Sequence, residues 1–552
     1  MKFSEMPYQR VVYEAIEKRY FELIEECRRA KDKKELKIVF QKKHELDDDL
    51  TDMSLCYVRH DMDVNDSFYA EEQAYYDEIS PKLTELDNQF QNVLLDTTHR
   101  KAAEDILGPQ VMAMMENSIK GFHESIIELV QEENILTGKH NQLTSTAVVH
   151  WQGKELKRSL MTPYIQAKER NTRKEASLAC SASWEIQRDK LEDLFGKLVH
   201  NRDRQAKQLG YPSYVELSYC RMNRIGYTPD DVREFREAVK QELVPLLMKM
   251  ENDRKERLGL DYLYYYDNGI SFKDGNPLPK GDTKACLEAT REMYHSLSPE
   301  TAEFIDYVMD NELYDVEIRS GKRGGGYMMS LERYRAPFIF ANFDGTSENA
   351  YIMTHEGGHA FQYYLKREEK VREQSWLNSE IAETHAMAME FFTSPYMDLF
   401  FGERAEDYRT LHLAKALQLI AYECEQDEFQ EIVYQNPDMT PDERNALWRC
   451  LEQEYMPFRD YEGDKNLQQG CGWQRIQHIF QWPFYAIDYA LAQVCALQYK
   501  CMMEEAPERA WQSYLIFCKK SGTMNFTKLQ EEAGLMNPFK AATLKKIADY
   551  LK

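Results

Sequence analysis

The chain has no long apolar run. No stretch of its 552 residues approaches the roughly 18 consecutive apolar residues of a membrane-spanning helix. Residues 1–30 carry charges throughout and lack the short apolar core of an export signal. These absences predict a protein that is neither inserted in a membrane nor exported.

Paired cysteines are also missing, and basic residues are fewer than acidic ones. The eleven cysteines are scattered, and no two of them form a CxxC pair. This distribution predicts reduced thiols in the cytoplasm, and neither a disulfide framework nor a separate structural zinc site. The formal net charge of −24 argues against binding to nucleic acid, because that mode needs clustered Lys and Arg.

Repeats and low-complexity linkers are absent as well. Residues 1 to about 200 show helical periodicity with few helix-breaking residues. One apolar stripe at helical spacing consists of Val12, Ile16, Tyr20, Leu23 and Cys27. Thr228 and Pro229 have the residue types that begin a helix, whereas residues 267–281 have the glycine and proline content of a loop. We therefore predict a mostly α-helical protein.

The most informative motif is His355-Glu356-Gly357-Gly358-His359. Residues four apart lie one above the other on a helix, so His355 and His359 can bind one tetrahedral Zn²⁺ ion. Glu356 faces the same cleft and can take a proton from the metal's water. Solvent-exposed histidines on an ordinary helix are the alternative explanation, so the surrounding sequence has to decide.

The flanking residues predict a helix in a packed environment. Residues 337–343 form an apolar, aromatic run typical of a strand, and Thr346 or Ser347 can cap a helix over about 347–366. Gly357 and Gly358 each cost the helix about 1 kcal/mol relative to alanine, which indicates that something approaches it closely.

A catalytic zinc ion needs a third protein ligand. A second helix, with Asn378 as its predicted cap, carries Glu380, Glu383 and Glu390 on one face. Carboxylates are costly to bury among Ala and Met without a cation, although a solvated acidic stripe is the alternative. From geometry alone, Glu380 and Glu383 are both possible ligands.

The segment 322–392, with KRGGGY, PFIFANFDGT, HEGGHAFQ and ETHAMAMEFF, resembles the M3 family of zinc metallopeptidases, in particular the oligoendopeptidase F and Pz-peptidase branch. In that family the third ligand is a glutamate about 24 residues after the second histidine, and another glutamate follows seven residues later. The resemblance therefore implies that Glu383 is the ligand. It leaves Glu380 and Glu390 as candidates for orienting a ligating histidine.

A block near the C-terminus resembles the family's substrate-binding segment. His478 is followed by Tyr485 and Tyr489, which lie four residues apart on a predicted helix, whereas Ala492 stands where relatives have a third tyrosine. The resemblance implies that the histidine and the tyrosines bind substrate and stabilise the negative charge that develops on the carbonyl oxygen. An ordinary aromatic core helix is the alternative.

Together these observations predict a zincin-type helical metallopeptidase with a small sheet beside the HExxH helix. The resemblance adds a deep substrate channel, with residues 1–204 as a helical wall and 205–552 as the catalytic region. It implies one Zn²⁺ per chain and an endopeptidase that cuts short peptides. The glycine-rich segment 324–327 and the strand 337–343 are then candidate substrate contacts, because an extended peptide can pair with an exposed strand edge. A plain turn and a core strand are the alternatives for these two segments. A zinc carboxypeptidase of another helical HExxH family and a non-catalytic peptide-binding protein are the alternatives.

Overall fold

Most of the described chain is helical. The computed structural model describes residues 1–96 and 98–552, and for Ser159 the backbone alone. In these residues the α-helices are α1 Tyr13–Arg29, α2 Lys33–Met62, α3 Ser67–Leu95, α4 Arg100–Leu107, α5 Pro109–Lys120, α6 Ile127–Ser145, α7 Thr162–Ile165, α8 Arg170–Glu185, α9 Arg188–Gln208, α10 Tyr214–Arg221, α11 Pro229–Ala238, α12 Val244–Leu258, α13 Thr283–Leu297, α14 Pro299–Asp310, α15 Glu348–Lys366, α16 Ser379–Thr393, α17 Asp398–Phe401, α18 Ala405–Gln435, α19 Pro441–Tyr455, α20 Lys465–Gln468, α21 Gln477–Gln481, α22 Ala486–Glu505, α23 Pro507–Lys520, α24 Phe526–Ala533 and α25 Ala541–Leu551. The strands are β1 Val148–Trp151, β2 Lys154–Lys157, β3 Tyr314–Glu317, β4 Tyr327–Leu331 and β5 Ala336–Phe343. The predicted mostly α-helical fold is confirmed. Among the described helices, none combines the length and the apolar character that crossing a membrane requires.

The chain forms two compact units, and each unit is assembled from three separate segments. Unit 1 contains residues 1–119, 277–405 and 496–535, and unit 2 contains residues 120–276, 406–495 and 536–552. The division of the chain at residue 204 and the substrate channel, which the resemblance implies, remain predictions.

The first three helices of unit 1 bury most of the predicted apolar stripe. Ile16, Tyr20, Leu23 and Cys27 of α1 lie in a core shared with α2 and α3. Val12 does not belong to this stripe, since 53% of its surface is exposed. It precedes the first helical residue and has extended backbone angles, so helical spacing does not apply to it.

Unit 2 contains a two-stranded sheet that the sequence analysis does not predict. Strands β1 and β2 pair in antiparallel register, with Val148 opposite Lys157. Gln152 and Gly153 between them both have positive φ angles, 50° and 75°. Positive φ at both central residues is characteristic of the tightest hairpin turns. The sheet is therefore a short hairpin between helices α6 and α7.

The helix predicted after Thr228 is present in unit 2, with one irregularity. The side chain of Thr228 caps α11 by accepting a hydrogen bond from the N–H of Asp231, and Pro229 is the first helical residue. A π-helical segment, Val239–Leu243, joins α11 to α12. Pro245, at the start of α12, lacks the N–H that a regular helix would use there. Residues 268–282 include no helix or strand, which agrees with the predicted loop.

The three-stranded sheet of unit 1 lies against α15. Its strand order is β3-β5-β4, with β5 parallel to β3 and antiparallel to β4. Seven of the eight residues of β5 are buried, which explains its apolar, aromatic sequence. Of the two interpretations of 337–343, the exposed edge for a substrate is therefore wrong and the core strand is confirmed, because β5 is the central strand. In this order of strands, β3 and β4 are the edges.

Candidate metal centre and aromatic cluster

Helix α15 begins and ends within one residue of its predicted limits. Ser347 occupies the cap position without a capping bond from its side chain, while Thr346 Oγ1 accepts a hydrogen bond from the N–H of Glu348 at 3.3 Å. The turn before it is fixed by Asp344, whose carboxylate accepts hydrogen bonds from the N–H and hydroxyl of Thr346. The HExxH motif lies in the middle of this helix, where His355 and Glu356 are buried.

Two glycines allow close packing on α15. A Cβ atom at Gly357 would collide with the phenol oxygen of Tyr294, which donates a hydrogen bond to the carbonyl of Met353 at 3.0 Å. A Cβ atom at Gly358 would lie 2.6 Å from the Cα atom of Ala386 on α16. The two helices therefore touch through their backbones, in agreement with the predicted close approach.

This close approach places Glu383 of α16 beside the two histidines. Its Oε2 atom lies 3.4 Å from His355 Nε2 and 3.9 Å from His359 Nε2. Four ligands at bond lengths of about 2.0–2.2 Å in a tetrahedron are about 3.4 Å apart from one another. One donor atom from each of the three residues lies within 4.8 Å of the others, so the group could hold a metal ion. No second group of this kind occurs in residues 1–96 and 98–552.

The two other acidic residues on α16 have different surroundings. Glu390 Oε1 lies 2.7 Å from His355 Nδ1, which leaves the Nε2 atom of the same ring directed toward Glu383. Glu380 is fully buried and accepts a hydrogen bond from Asn378 Nδ2 at 3.3 Å. Asn378 precedes α16 as predicted, but its side chain does not cap that helix. Glu383 is part of the three-residue group that could hold a metal ion, whereas Glu380 is not.

Burial and neighbouring charges shift the pKa values of the motif in the metal-free chain. Burial raises the pKa of Glu356 to about 7, and its other charged neighbours include Glu383 and Glu390. Burial lowers the pKa of His359 to about 4, so this imidazole is neutral and has a lone pair to offer. For His355, burial acts to lower the pKa, but hydrogen bonds to Glu383 and Glu390 outweigh it and raise the pKa. The donor set of two imidazoles and one carboxylate is one that zinc binds in catalytic sites.

The edge strand β4 also reaches this motif. The backbone N–H of Met328 lies against the carboxylate of Glu356 and partly offsets the rise in its pKa. Met328 could not be identified from the sequence, since a backbone donor leaves no signature in residue type.

In unit 2, the three predicted substrate-binding side chains lie together. The ring of Tyr489 is 5.1 Å from that of Tyr485 and stacks on His478 at 6.1 Å, while His478 and Tyr485 are 5.5 Å apart. We call these three residues the aromatic cluster. Trp482 borders the cluster, 5.8 Å from His478, and 53% of its surface is exposed. No role for Trp482 is predicted from the sequence.

Tyr485 does not lie within α22 as its predicted helical position requires. The helix begins at Ala486, one residue later, and the backbone of Phe484 has a positive φ of 67°. The two tyrosines are nevertheless neighbours, because Tyr489 is one turn into the helix that starts beside Tyr485.

Sequence profiles of known families match nearly the whole chain. The profile of the peptidase M3 N-terminal domain matches residues 3–122, and that of peptidase family M3 matches residues 164–549. The chain belongs to peptidase family M3. The predicted resemblance to this family is thereby confirmed, and the enzyme class of the family is the predicted one, a peptidase.

Solved structures and curated sequences extend the likeness of this M3 chain to the oligoendopeptidase F branch. It is 38% identical to Pz peptidase A, solved with an inhibitor, with a TM-score of 0.93 over 100% of this chain and 98% of that one. A structure provisionally assigned as an oligoendopeptidase F is 39% identical, with the same TM-score of 0.93 and the same coverage of 100% and 98%. Oligopeptidase PepF of Bacillus subtilis (strain 168) is 24% identical over 304 residues, which span 53% of this chain and 44% of PepF. The match thus covers less than half the length of that curated relative.

Proposed function

We propose that this M3 chain is a zinc-dependent endopeptidase that hydrolyses internal bonds of short peptides. The observation that carries the proposal is the group formed by His355, His359 and Glu383, which has Glu356 beside it and the spacing of a zinc site. Membership of a peptidase family and likeness to oligopeptidases supply the class of substrate.

The chain would hold the metal with donors from two helices. His355 and His359 of α15 and Glu383 of α16 would be the ligands, with Nε2 of His355 directed by the bond between its Nδ1 atom and Glu390. When bound, zinc polarises the peptide carbonyl and lowers the pKa of a water molecule. Contacts beyond the ligands, such as that of Glu390, fix the tautomer and orientation of the ring.

Glu356 is the proposed proton carrier. It is adjacent to His355 in sequence, its side chain is buried, and it is not part of the three-residue metal group. Its carboxylate would accept a proton from the attacking water and pass it to the leaving amine nitrogen. A carboxylate held by the N–H of Met328 on an edge strand is well placed to act beside a bound peptide backbone.

Substrate binding is assigned to β4 and to the aromatic cluster. Both edges of β5 are paired, so an extended peptide can add a strand only beside one of the outer strands. Of the two outer strands, we assign this role to β4, because its Met328 contacts Glu356 of the HExxH motif. The glycine-rich segment 324–326 leads directly into β4. The resemblance to the family assigns His478, Tyr485 and Tyr489 to binding of the substrate and to donation toward its carbonyl oxygen.

The test is cleavage of an internally quenched peptide with both ends blocked. Chelator-treated protein should be inactive, and addition of about one equivalent of Zn²⁺ should restore cleavage within the peptide. A carboxypeptidase would leave the blocked peptide intact but trim an unblocked one. A non-catalytic binding protein would bind the peptide without cutting it under either condition.

We also propose that the protein acts in the cytoplasm. No disulfide joins any of the eleven cysteines in the part of the chain that the structure describes, and eight of them are buried, as expected of a chain that folds where thiols stay reduced. Fractionation of cells that express the full chain, with a cytoplasmic and an exported protein as markers, tests this location.

A further inference from the structure

The backbone turn that leads into the aromatic cluster is strained. Phe484 has a φ of 67°, in the left-handed region that a bulky L-residue rarely adopts. Such residues persist where surrounding contacts enforce them, and they concentrate at functional sites. Because Tyr485 is the next residue and α22 begins at Ala486, this turn sets the direction in which the tyrosine pair is presented.

Two buried side chains hold the polar backbone groups of Phe484. Its N–H donates to Gln430 Oε1 at 2.9 Å, and its carbonyl accepts a hydrogen bond from Arg224 Nη2. Gln430 is fully buried, and Arg224 is 6% exposed when its backbone is counted. The strained residue is thus bonded on both sides by side chains from distant parts of unit 2.

Arg224 holds the first turn of α22 as well. The same Nη2 atom donates to Asp488 Oδ1 at 2.9 Å, and both side chains are 0% exposed. A buried ion pair often adds little net stability, because both charges lose their hydration. Its placement offers a better reason for its presence: Phe484 precedes Tyr485, and Asp488 precedes Tyr489. A single guanidinium group therefore binds the residue before each tyrosine.

We propose that Arg224 is a positioning residue, which acts through Phe484 and Asp488 to fix the phenol groups of Tyr485 and Tyr489 for the reaction. The inference rests on the proposed function, in which these phenols donate to the substrate carbonyl. Donors aimed in advance at a developing charge lose much of their effect when they are displaced by about 1 Å. Loss of the hydrogen bonds that hold the turn at Phe484 should therefore slow turnover, although no group that touches the substrate is removed.

The first variant is Arg224→Lys. Lysine keeps the positive charge, but its single ammonium group cannot reproduce the planar geometry of the guanidinium bonds. We expect kcat to fall by about 10- to 100-fold, with KM changed by less than about threefold. Rates are to be expressed per folded molecule, measured by circular dichroism and gel filtration.

The matched control is Arg254→Lys. Arg254 is also buried in unit 2 and has the same bonding chemistry, donating to the carboxylate of Glu251 and to the carbonyls of Asp267 and Ile270. This substitution should lower thermal stability and leave kcat within about twofold of the parent. An equal loss of kcat in both variants would overturn the inference, since it would mean that any buried arginine has this effect.

A double-mutant cycle separates positioning from general structural support. If Arg224 acts through the tyrosines, Arg224→Lys should cause no further loss of kcat in the Tyr485→Phe/Tyr489→Phe background. A loss as large as in the parent would overturn the inference while the proposed role of the tyrosines stands. If the tyrosine substitutions alone leave kcat unchanged, their proposed role fails, and the inference fails with it.

A second variant keeps the inference testable if Arg224→Lys does not fold. Gln430→Ala releases the N–H of Phe484 and leaves the ion pair of Arg224 and Asp488 in place. It should lower kcat by about 3- to 30-fold, again with KM nearly unchanged and with no further loss in the double phenylalanine background. Unchanged kcat in folded Gln430→Ala would count against the role of the turn.

Discussion

The candidate metal centre and the aromatic cluster are built in opposite ways. His355, His359 and Glu383 project from two regular helices, whose backbones touch at a glycine. Tyr485, by contrast, lies at a break before a helix, next to a residue with a positive φ. The break is held by a side chain 260 residues away in sequence. Regular helices thus place the proposed metal ligands by their own geometry, whereas the cluster depends on tertiary contacts.

The first prediction has the largest expected effect and tests the metal centre. Glu383→Ala should be isolated largely free of metal and inactive, because it loses a donor that lies 3.4 Å from His355 Nε2. Glu380→Ala is the matched control, one turn away on the same helix, and should keep its zinc and measurable activity. Metal analysis of both purified variants by mass spectrometry checks this, and the reverse ranking would assign the ligand to Glu380.

The second prediction separates proton transfer from metal binding. Glu356→Gln should retain about one zinc per chain and lose about 10²- to 10⁴-fold in kcat, because an amide cannot accept the proton. Glu348→Gln, on the first turn of the same helix, is the control and should be nearly as active as the parent. Loss of zinc together with activity would mean that Glu356 is a ligand.

The third prediction concerns the aromatic cluster. Tyr489→Phe should lower kcat by about 10²- to 10³-fold, and Tyr485→Phe should act in the same direction, with smaller changes in KM. The reason is that phenylalanine keeps the ring packing but removes the donor. Steady-state kinetics on the quenched peptide, with melting temperatures measured in parallel, check it. Normal kcat with reduced melting temperature would make these tyrosines purely structural.

The fourth and smallest effect is expected at Glu390. Glu390→Gln should weaken zinc binding by about 10- to 100-fold, because the bond that orients His355 becomes weaker, while activity at saturating zinc is largely restored. Titration against a competing chelator measures the affinity. Glu380→Gln provides the comparison, and an equal loss in both variants would contradict a specific role for Glu390.

Much of the candidate metal centre could be predicted from the sequence. The helical period places His355 over His359, and the apolar run before the motif predicts the strand that became β5. The paired glycines predict a close approach, which is that of Tyr294 and α16. Each of these features depends on local periodicity or on a steric requirement of a single residue, and both are visible in residue types.

The remaining features depend on contacts that no local pattern encodes. The central position of β5 is set by its pairing with β3 and β4. The apolar sequence predicts that this strand is buried, but it does not show whether the strand lies at the centre or at the edge of its sheet. The hairpin of β1 and β2 rests on a positive φ at Gln152, where glycine or asparagine would have been a stronger signal. The left-handed turn at Phe484 is enforced by hydrogen bonds to Arg224 and Gln430. Phenylalanine by itself predicts a negative φ, so the residue type gives no sign of this turn.

The three-segment construction of unit 1 also determines when the candidate metal centre can be finished during synthesis. The phenol of Tyr514 donates to the carbonyl of His385, 129 residues earlier in the chain, and Lys366 at the end of α15 donates to the carbonyl of Ser521. At about 5–20 residues per second, the ribosome needs roughly ten seconds after α16 to add Tyr514 and Ser521, whose hydrogen bonds support α16 and α15. During that interval, both helices already exist as nascent chain without their final support. Completion of the centre is therefore a late event, which follows translation of the segment around residues 514–521.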